Sequence, residues 1–168
     1  MNQTSQQYFN THKIIFYAFL LGQILFALAV FAVHNSNETA VVDQEASDVF
    51  IYVVPIIIIV DFVAGNFIQN LLLKSAKAKE SLKDKMTAYT TITLVRLAFA
   101  EGASLFTIVV YLITANVIFA GCAVILILLF FTFKPSKEKA ILELELDHAD
   151  MLAVNDPNAV IAEAATRR

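Results

Sequence analysis

Four long runs of hydrophobic residues, separated by polar stretches, dominate the pattern of the chain. They cover residues 14–33, 49–73, 92–113 and 117–133. A helix needs about 17–25 apolar residues to cross the hydrocarbon core of a bilayer, and every run falls in this range. None of the runs alternates with a period of two, as the strands of a membrane barrel do. Because lipid cannot satisfy exposed backbone groups, the pattern predicts an all-α chain with four transmembrane helices.

The composition agrees with this prediction and argues against several other classes of protein. Of the 168 residues, 58% are hydrophobic and 16% are charged, whereas soluble domains carry about 25% charged residues. No nucleophile–base arrangement, phosphate-binding loop or cluster of metal ligands is present in the sequence, so we expect no enzyme activity, no cofactor and no metal site. The lysines of residues 74–87 have no aromatic residues between them, so we expect no nucleic-acid partner.

The charges are segregated along the chain. Residues 34–48 carry four acidic side chains and no Lys or Arg, whereas residues 74–87 carry five lysines. The positive-inside rule places the Lys-rich segment in the cytoplasm, and both termini with it. The sequence therefore predicts a cytoplasmic N-terminus (1–13), a transmembrane domain (14–133) and a cytoplasmic tail (134–168), in the inner membrane of a bacterium.

Two segments allow alternatives. Residues 1–33 also fit a cleaved signal peptide, because Ala27-Leu28-Ala29 resembles a cleavage site, although the apolar run continues beyond it. In the tail, residues 142–147 alternate as a strand does, while their neighbours also suit a helix. Residues 159–165 fit a short last helix. A partner-docking segment and a solvated tail are both compatible with this pattern.

The first and third runs share a pattern at a constant offset of 80 residues. The residue types that coincide are Ala18/Ala98, Phe19/Phe99, Gly22/Gly102, Leu25/Leu105 and Phe26/Phe106. This repeat predicts two helical hairpins arranged as a parallel repeat, with chance similarity between apolar helices as the alternative. Small residues four positions apart let helix backbones approach closely in lipid, which predicts a contact between the first and third helices. The helix-packing residues predicted in this way are Ala18, Gly22, Ala98 and Gly102.

Several polar residues interrupt the runs near the predicted centre of the bilayer. A carboxylate at this depth costs about 2.5–3.5 kcal/mol on insertion scales, so such a residue is rarely incidental. The residues concerned are Asp61, Glu101, Gln23, Arg96 and Asn66. The first three are predicted to form one layer, and the last two a layer nearer the cytoplasm. We expect Arg96 either to reach Asp61 across the bundle or to extend towards cytoplasmic water.

Two interpretations of these layers remain open. In the first, Asp61 and Glu101 bind a cation or share a proton, because two close carboxylates in a low dielectric cannot both stay ionised. In the second, the polar residues fix the packing of the helices in a non-enzymatic scaffold or accessory subunit. A site completed by a partner subunit is a third option. A homo-oligomer or a larger membrane complex is compatible with each of them.

Residues 97–111 resemble the carboxylate helix of the proteolipid (c) subunits of rotary ATP synthases. Glu101 is flanked by three alanines, Ala98, Ala100 and Ala103. Leu105 and Phe106 follow four and five residues after Glu101. The resemblance implies reversible binding of a proton or sodium ion at Glu101. It covers about 15 of the 168 residues, and the Gly-rich partner helix of that family is missing. As a whole, the chain resembles small four-span membrane proteins of bacteria.

Overall fold

The computed structural model describes residues 2–36 and 44–163. Over these residues the chain is predominantly helical, as the sequence predicts, with one short pair of strands. The elements in chain order are β1 (Asn2–Thr4), α1 (Ser5–Asn35), α2 (Gln44–Lys77), α3 (Leu82–Thr114), α4 (Val117–Phe130), a 3₁₀ turn (Phe131–Phe133), α5 (Lys137–Leu144), α6 (His148–Asn155) and β2 (Val160–Glu163). Part of the predicted acidic segment, including Glu38 and Asp43, lies outside the described residues.

Three of the described helices, α1, α2 and α3, are long and apolar enough to cross a membrane. A fourth candidate is Val117–Phe133, which is followed after a bend of 75° by Lys137–Leu144. The described part of the chain therefore has three candidate spans, or four if the bent pair is counted. The four hydrophobic runs of the sequence correspond to α1, α2, α3 and the segment Val117–Phe133.

Contacts divide the described chain into two compact units, which we call the terminal unit and the span unit. The terminal unit comprises residues 2–16, 66–96 and 134–163, and the span unit comprises residues 17–36, 44–65 and 97–133. All nine lysines of the sequence belong to the segments of the terminal unit, while those of the span unit contain neither Lys nor Arg. The segregation of charge seen along the sequence thus coincides with a division of the fold.

The terminal unit has a core built from both ends of the chain and from parts of α2 and α3. Its buried residues are Tyr8, Phe9, Ala76, Met86, Tyr89, Ile92, Ala140, Leu144, Leu146, Val154, Ile161 and Ala162. This core explains why α1 and α3 begin well before their hydrophobic runs, since their polar first turns carry Tyr8 and Met86 into it. The Tyr8 hydroxyl also donates to the Met86 carbonyl, at 2.8 Å.

The tail is folded over its described residues. β2 pairs with β1 in antiparallel fashion, and Asn2 lies opposite Glu163. The predicted helix over residues 159–165 is therefore wrong for the described part, because Val160–Glu163 form a strand. Its residues Ile161 and Ala162 are buried in the core of the terminal unit. The alternating residues 142–147 include the end of α5 and the cap of α6. α5 ends at Leu144 and is capped by Glu145, whose φ is 51°. Ser136 and Asp147 cap the two helices by accepting backbone N–H groups.

The span unit contains two clusters of buried apolar side chains. The first is formed by Val30, Ile108 and Ala123, and the second by Val54, Val110 and Phe119. Residues 115 and 116 form the connection from α3 to α4. Asn116 closes it, because its side chain accepts the N–H of Ile118 and donates to Ser47 at 2.9 Å. α2 is packed least, with 6% of its most apolar window buried against 39% for α3.

Candidate functional site

Arg96 is the centre of a polar network in the terminal unit. Its Nε donates to Gln69 Oε1 at 3.0 Å, and its Nη2 donates to both carboxylate oxygens of Glu143, at 2.9 and 2.8 Å. The Tyr89 hydroxyl donates to Glu143 Oε2 at 2.7 Å. The Arg96 side chain is only 7% exposed. The network therefore joins α2, α3 and α5 through a buried, charge-assisted pair.

The partner of Arg96 differs from the two that the sequence predicts. The guanidinium group of Arg96 forms an ion pair with Glu143 of the tail. Arg96 therefore neither pairs with Asp61 nor depends on cytoplasmic water as its main contact. Glu143 lies far along the chain, in a segment whose alternating pattern left its structure open. The available signal was the helix cap at Ser136 followed by Ala140 and Leu144, four residues apart, which are the buried positions of α5.

The network contains one carboxylate, that of Glu143, and two nearby cations, Arg96 and Lys139. Burial lowers the pKa of Lys139, the nearby Arg96 lowers it further, and Glu143 raises it. Glu143 thus compensates both cations. Two further ion pairs join the tail to the Lys-rich segment, Lys77 with Glu145 at 2.6 Å and Lys85 with Asp150 at 3.3 Å.

Gln23 lies in the span unit and is completely buried. Its Oε1 accepts a hydrogen bond from Ser104 Oγ at 2.7 Å, whereas its Nε2 has no partner among the described residues. This bond ties α1 to α3, and Val30 packs against Ile108 further along the same pair of helices. The first and third helices therefore meet, as the sequence predicts.

Of the small residues that were predicted to form this contact, Gly22 lies near α3, since a Cβ added there would be 3.9 Å from Glu101 Oε1. Ala18, Gly22, Ala98 and Gly102 are all exposed. A Cβ added at Gly102 would meet no atom within 4 Å. The close approach occurs instead at Gly65 on α2, where an added Cβ would lie 3.3 Å from Phe99 Cγ on α3. Sequence reasoning missed Gly65 because it has no counterpart in the repeat.

Asp61 and Glu101 are both half-buried in the span unit. Within the described part of the chain, neither side chain has a hydrogen bond or an ion pair, so none joins the two carboxylates. Glu101 lies beside α1, since its Oε1 is 3.9 Å from the position of a Cβ added at Gly22. Asn66 is exposed on α2 and belongs to the terminal unit with Arg96.

The predicted polar residues are thus distributed over both units. Gln23, Asp61 and Glu101 belong to the span unit, and Arg96 and Asn66 to the terminal unit. Among the described residues, no group of three or more His, Cys, Asp or Glu side chains is arranged to hold a metal ion. Comparison with known protein families, with curated proteins and with solved structures found no match to the chain. The geometry alone therefore guides the functional inference.

Proposed function

We propose that the chain is a non-enzymatic integral membrane protein, a four-helix bundle of two hairpins that serves as a scaffold or accessory subunit. The observation that carries the proposal is the use of its costly polar side chains in packing. Arg96 is held by Gln69 and Glu143, and Gln23 by Ser104. Polar groups bonded in this way fix the register of helices, which is the role expected of them in a scaffold.

Four crossings, with both termini in the cytoplasm, are supported by the pairing of the chain ends. β1 pairs with β2, so the two ends of the described chain lie side by side. Three crossings would leave them on opposite sides of a membrane, whereas a fourth at Val117–Phe133 returns the chain to the first side. The lysines of the same unit favour the cytoplasmic side. A bacterial inner membrane follows from the resemblance to small bacterial four-span proteins.

A partner within the membrane is supported by the poor packing of α2. Only 6% of its most apolar window is buried within the chain. Phe62 and Val63 are 66% and 61% exposed on this helix. In a membrane such a face lies against lipid or against another helix, and we propose that a helix of a second copy or of a different membrane subunit covers it.

Photo-crosslinking in native membranes tests this proposal. A photoreactive residue in place of Phe62 should give discrete adducts of the chain with a second protein. The same residue in place of Val117, which is 75% exposed at the start of α4, is the matched control and should give mainly lipid adducts. Recovery of the monomer alone, with lipid adducts at both positions, would contradict a scaffold role.

Proton or cation coupling through Asp61 and Glu101 is the second candidate function. It is supported by two half-buried carboxylates without a side-chain partner in the described chain, and by the resemblance of residues 97–111 to proteolipid subunits. Glu101→Gln and Asp61→Asn should then abolish proton or sodium flux into proteoliposomes. Glu45→Gln, at an exposed position near the start of α2, should leave the flux unchanged. Wild-type protein without flux at any pH gradient would exclude this function.

A further inference from the structure

Asp61 lies at the middle of the hydrophobic run 49–73, twelve residues from either end. It is half-buried, and within the described part of the chain its carboxylate has no hydrogen bond or ion pair. On the same helix, Val60 and Val63 are 59% and 61% exposed. A carboxylate at this depth in a bilayer is costly, so in membrane proteins it usually pairs with another group. α2 thus combines a carboxylate in need of a partner with an apolar face that its own chain leaves open.

The chain itself supplies no base for this carboxylate. The segments of the span unit contain neither Lys nor Arg, whereas two carboxylates, Asp61 and Glu101, lie within their hydrophobic runs. The single Lys or Arg inside a hydrophobic run is Arg96. Its guanidinium is already bound by Glu143 and Gln69, and its side chain is only 7% exposed. The runs therefore carry negative charge that no base of the same chain neutralises.

This charge decides between the two kinds of partner for α2. A second copy would bring another Asp61 and no base, because its Arg96 is likewise engaged within its own chain. Like charges that approach in a low dielectric repel each other. A different subunit with a base at the same depth would instead form an ion pair with Asp61. Glu101 is less suited to this partner, because it lies on α3 beside α1, with its Oε1 3.9 Å from a Cβ added at Gly22.

We propose that α2 binds a transmembrane helix of a different protein, whose Lys or Arg near the middle of the bilayer pairs with Asp61. The inference rests on the scaffold role proposed above, and it narrows the partner from any membrane helix to one with a central base. The apolar face supplies van der Waals packing. The ion pair supplies specificity, because an apolar helix of the same shape leaves the carboxylate without a partner.

Association with synthetic transmembrane peptides in phosphatidylcholine vesicles tests the inference. The probes are two leucine-rich helices that differ only in their central residue, Lys or Leu, and each carries a fluorescence acceptor. The full chain carries the donor at Lys79→Cys, an exposed position, in a Cys122→Ser background. Energy transfer from chain to peptide measures association. The Lys peptide should reach half-maximal transfer at a peptide-to-lipid ratio several-fold lower than the Leu peptide.

Three variants show whether this preference depends on Asp61. Asp61→Asn should remove the difference between the two peptides, and Asp61→Glu, which keeps the charge, should retain it. Glu45→Gln is the matched control, since it removes an exposed carboxylate near the start of the same helix and should also retain the difference. Thermal unfolding shows that each variant remains folded, and the comparison of the two peptides on the wild-type chain does not depend on any variant.

Equal association of both peptides with the wild-type chain would overturn the inference. The scaffold role would then still stand if position 62 gives adducts with a second protein in native membranes. Loss of the preference in Glu101→Gln but not in Asp61→Asn would overturn the assignment to Asp61. Adducts between two copies at position 62 would overturn the inference in favour of self-association. Absence of any protein adduct at position 62 would contradict the proposed function itself, and the inference with it.

Discussion

Arg96 and Glu143 illustrate how much of the site is visible at the scale of single residues. The sequence indicates that a charged residue in an apolar run needs a partner, and it identifies Arg96 as such a residue. It does not identify the partner, because Glu143 lies in a segment whose polarity pattern fits a strand, a helix or a solvated tail. Hydropathy measures the environment a residue prefers, whereas the pairing depends on where the tail folds.

Replacing the shared carboxylate tests the network directly. Glu143→Gln leaves the guanidinium of Arg96 without its charged partner, and breaking a buried ion pair costs about 3–5 kcal/mol. Because Glu143 is 24% exposed, we expect the free energy of unfolding in detergent to fall by about 2–4 kcal/mol. The pKa of Lys139 should also fall, because Glu143 is the group that raises it.

Glu145→Gln is the matched control for this change. Its partner Lys77 is 34% exposed and Glu145 itself is 74% exposed, so this variant should lose no more than about 1 kcal/mol. Chemical unfolding of both purified variants measures the difference. Equal losses of unfolding free energy in Glu143→Gln and Glu145→Gln would show that the buried ion pair stabilises the fold no more than the exposed one.

At the scale of elements, the hydrophobic runs predict the long helices well but not their full extent. A hydrophobic run ends where the residues become too polar for lipid, whereas a helix ends where its backbone hydrogen bonds end. α1 and α3 therefore begin earlier than their runs, at Ser5 and Leu82. The repeat indicates that the first and third helices meet, and its residues Phe26 and Leu105 pack against the cluster of Val30 and Ile108. It does not include Gln23 and Ser104, which make the hydrogen bond between these helices.

The two glycines of α2 and α3 should respond differently to the same substitution. Gly65→Leu forces a side chain against Phe99, where an added Cβ already lies 3.3 Å from the ring. Overpacking of this kind costs about 1–3 kcal/mol of folding free energy. Gly102→Leu has open space around it, so the variant should unfold at the wild-type temperature or slightly above it, because Gly is a poor helix former. A larger loss for Gly102→Leu than for Gly65→Leu, in thermal unfolding, would argue against this packing.

The cap of α5 allows a test of the docked tail. Ser136 accepts the N–H of Lys139, and loss of such a cap costs about 0.5–2 kcal/mol. A hydrogen bond from the backbone at Glu138 is the main cause that lowers the pKa of this carboxyl, and one with Ser136 contributes further. We therefore expect Ser136→Ala to destabilise the protein and to raise the pKa of Glu138.

The sign of the pH dependence follows from the direction of that shift. A carboxyl whose pKa is lowered on folding stabilises the fold above its unfolded pKa, and this contribution disappears as the pH falls through the folded pKa. Ser136→Ala should therefore make the acid limb of the unfolding profile slightly shallower, because the backbone hydrogen bond that is the main cause of the lowered pKa of Glu138 remains. Ser75→Ala, at an exposed position within α2, is the control and should change neither stability nor pH profile. Unchanged stability of Ser136→Ala would contradict the role of the cap, and an unchanged acid limb would contradict the contribution of Ser136 to the lowered pKa of Glu138.

At the scale of the whole molecule, the division into a terminal unit and a span unit is the feature that hydropathy alone predicts least. Tyr8, Met86, Leu144 and Ile161 are far apart in the sequence but share one core. In the hydropathy pattern their segments correspond to helix ends, a connection and a tail. Only contacts between residues far apart in the sequence bring them together. The distribution of lysines follows the same division, so charge predicts which segments belong together better than the apolar pattern does.

The topology gives the last prediction. The proposed topology, with paired chain ends and four crossings, requires three exposed positions to react with an impermeant maleimide from the cytoplasmic side only. The variants, each in a Cys122→Ser background, are Gln6→Cys, Lys79→Cys and Asn158→Cys. Asp48→Cys, exposed near the start of α2, should react only from the other side. Labelling of oriented vesicles before and after permeabilisation measures both. Reaction at positions 6 and 158 from opposite sides would require an odd number of crossings, which is incompatible with a pairing of β1 with β2 in one chain.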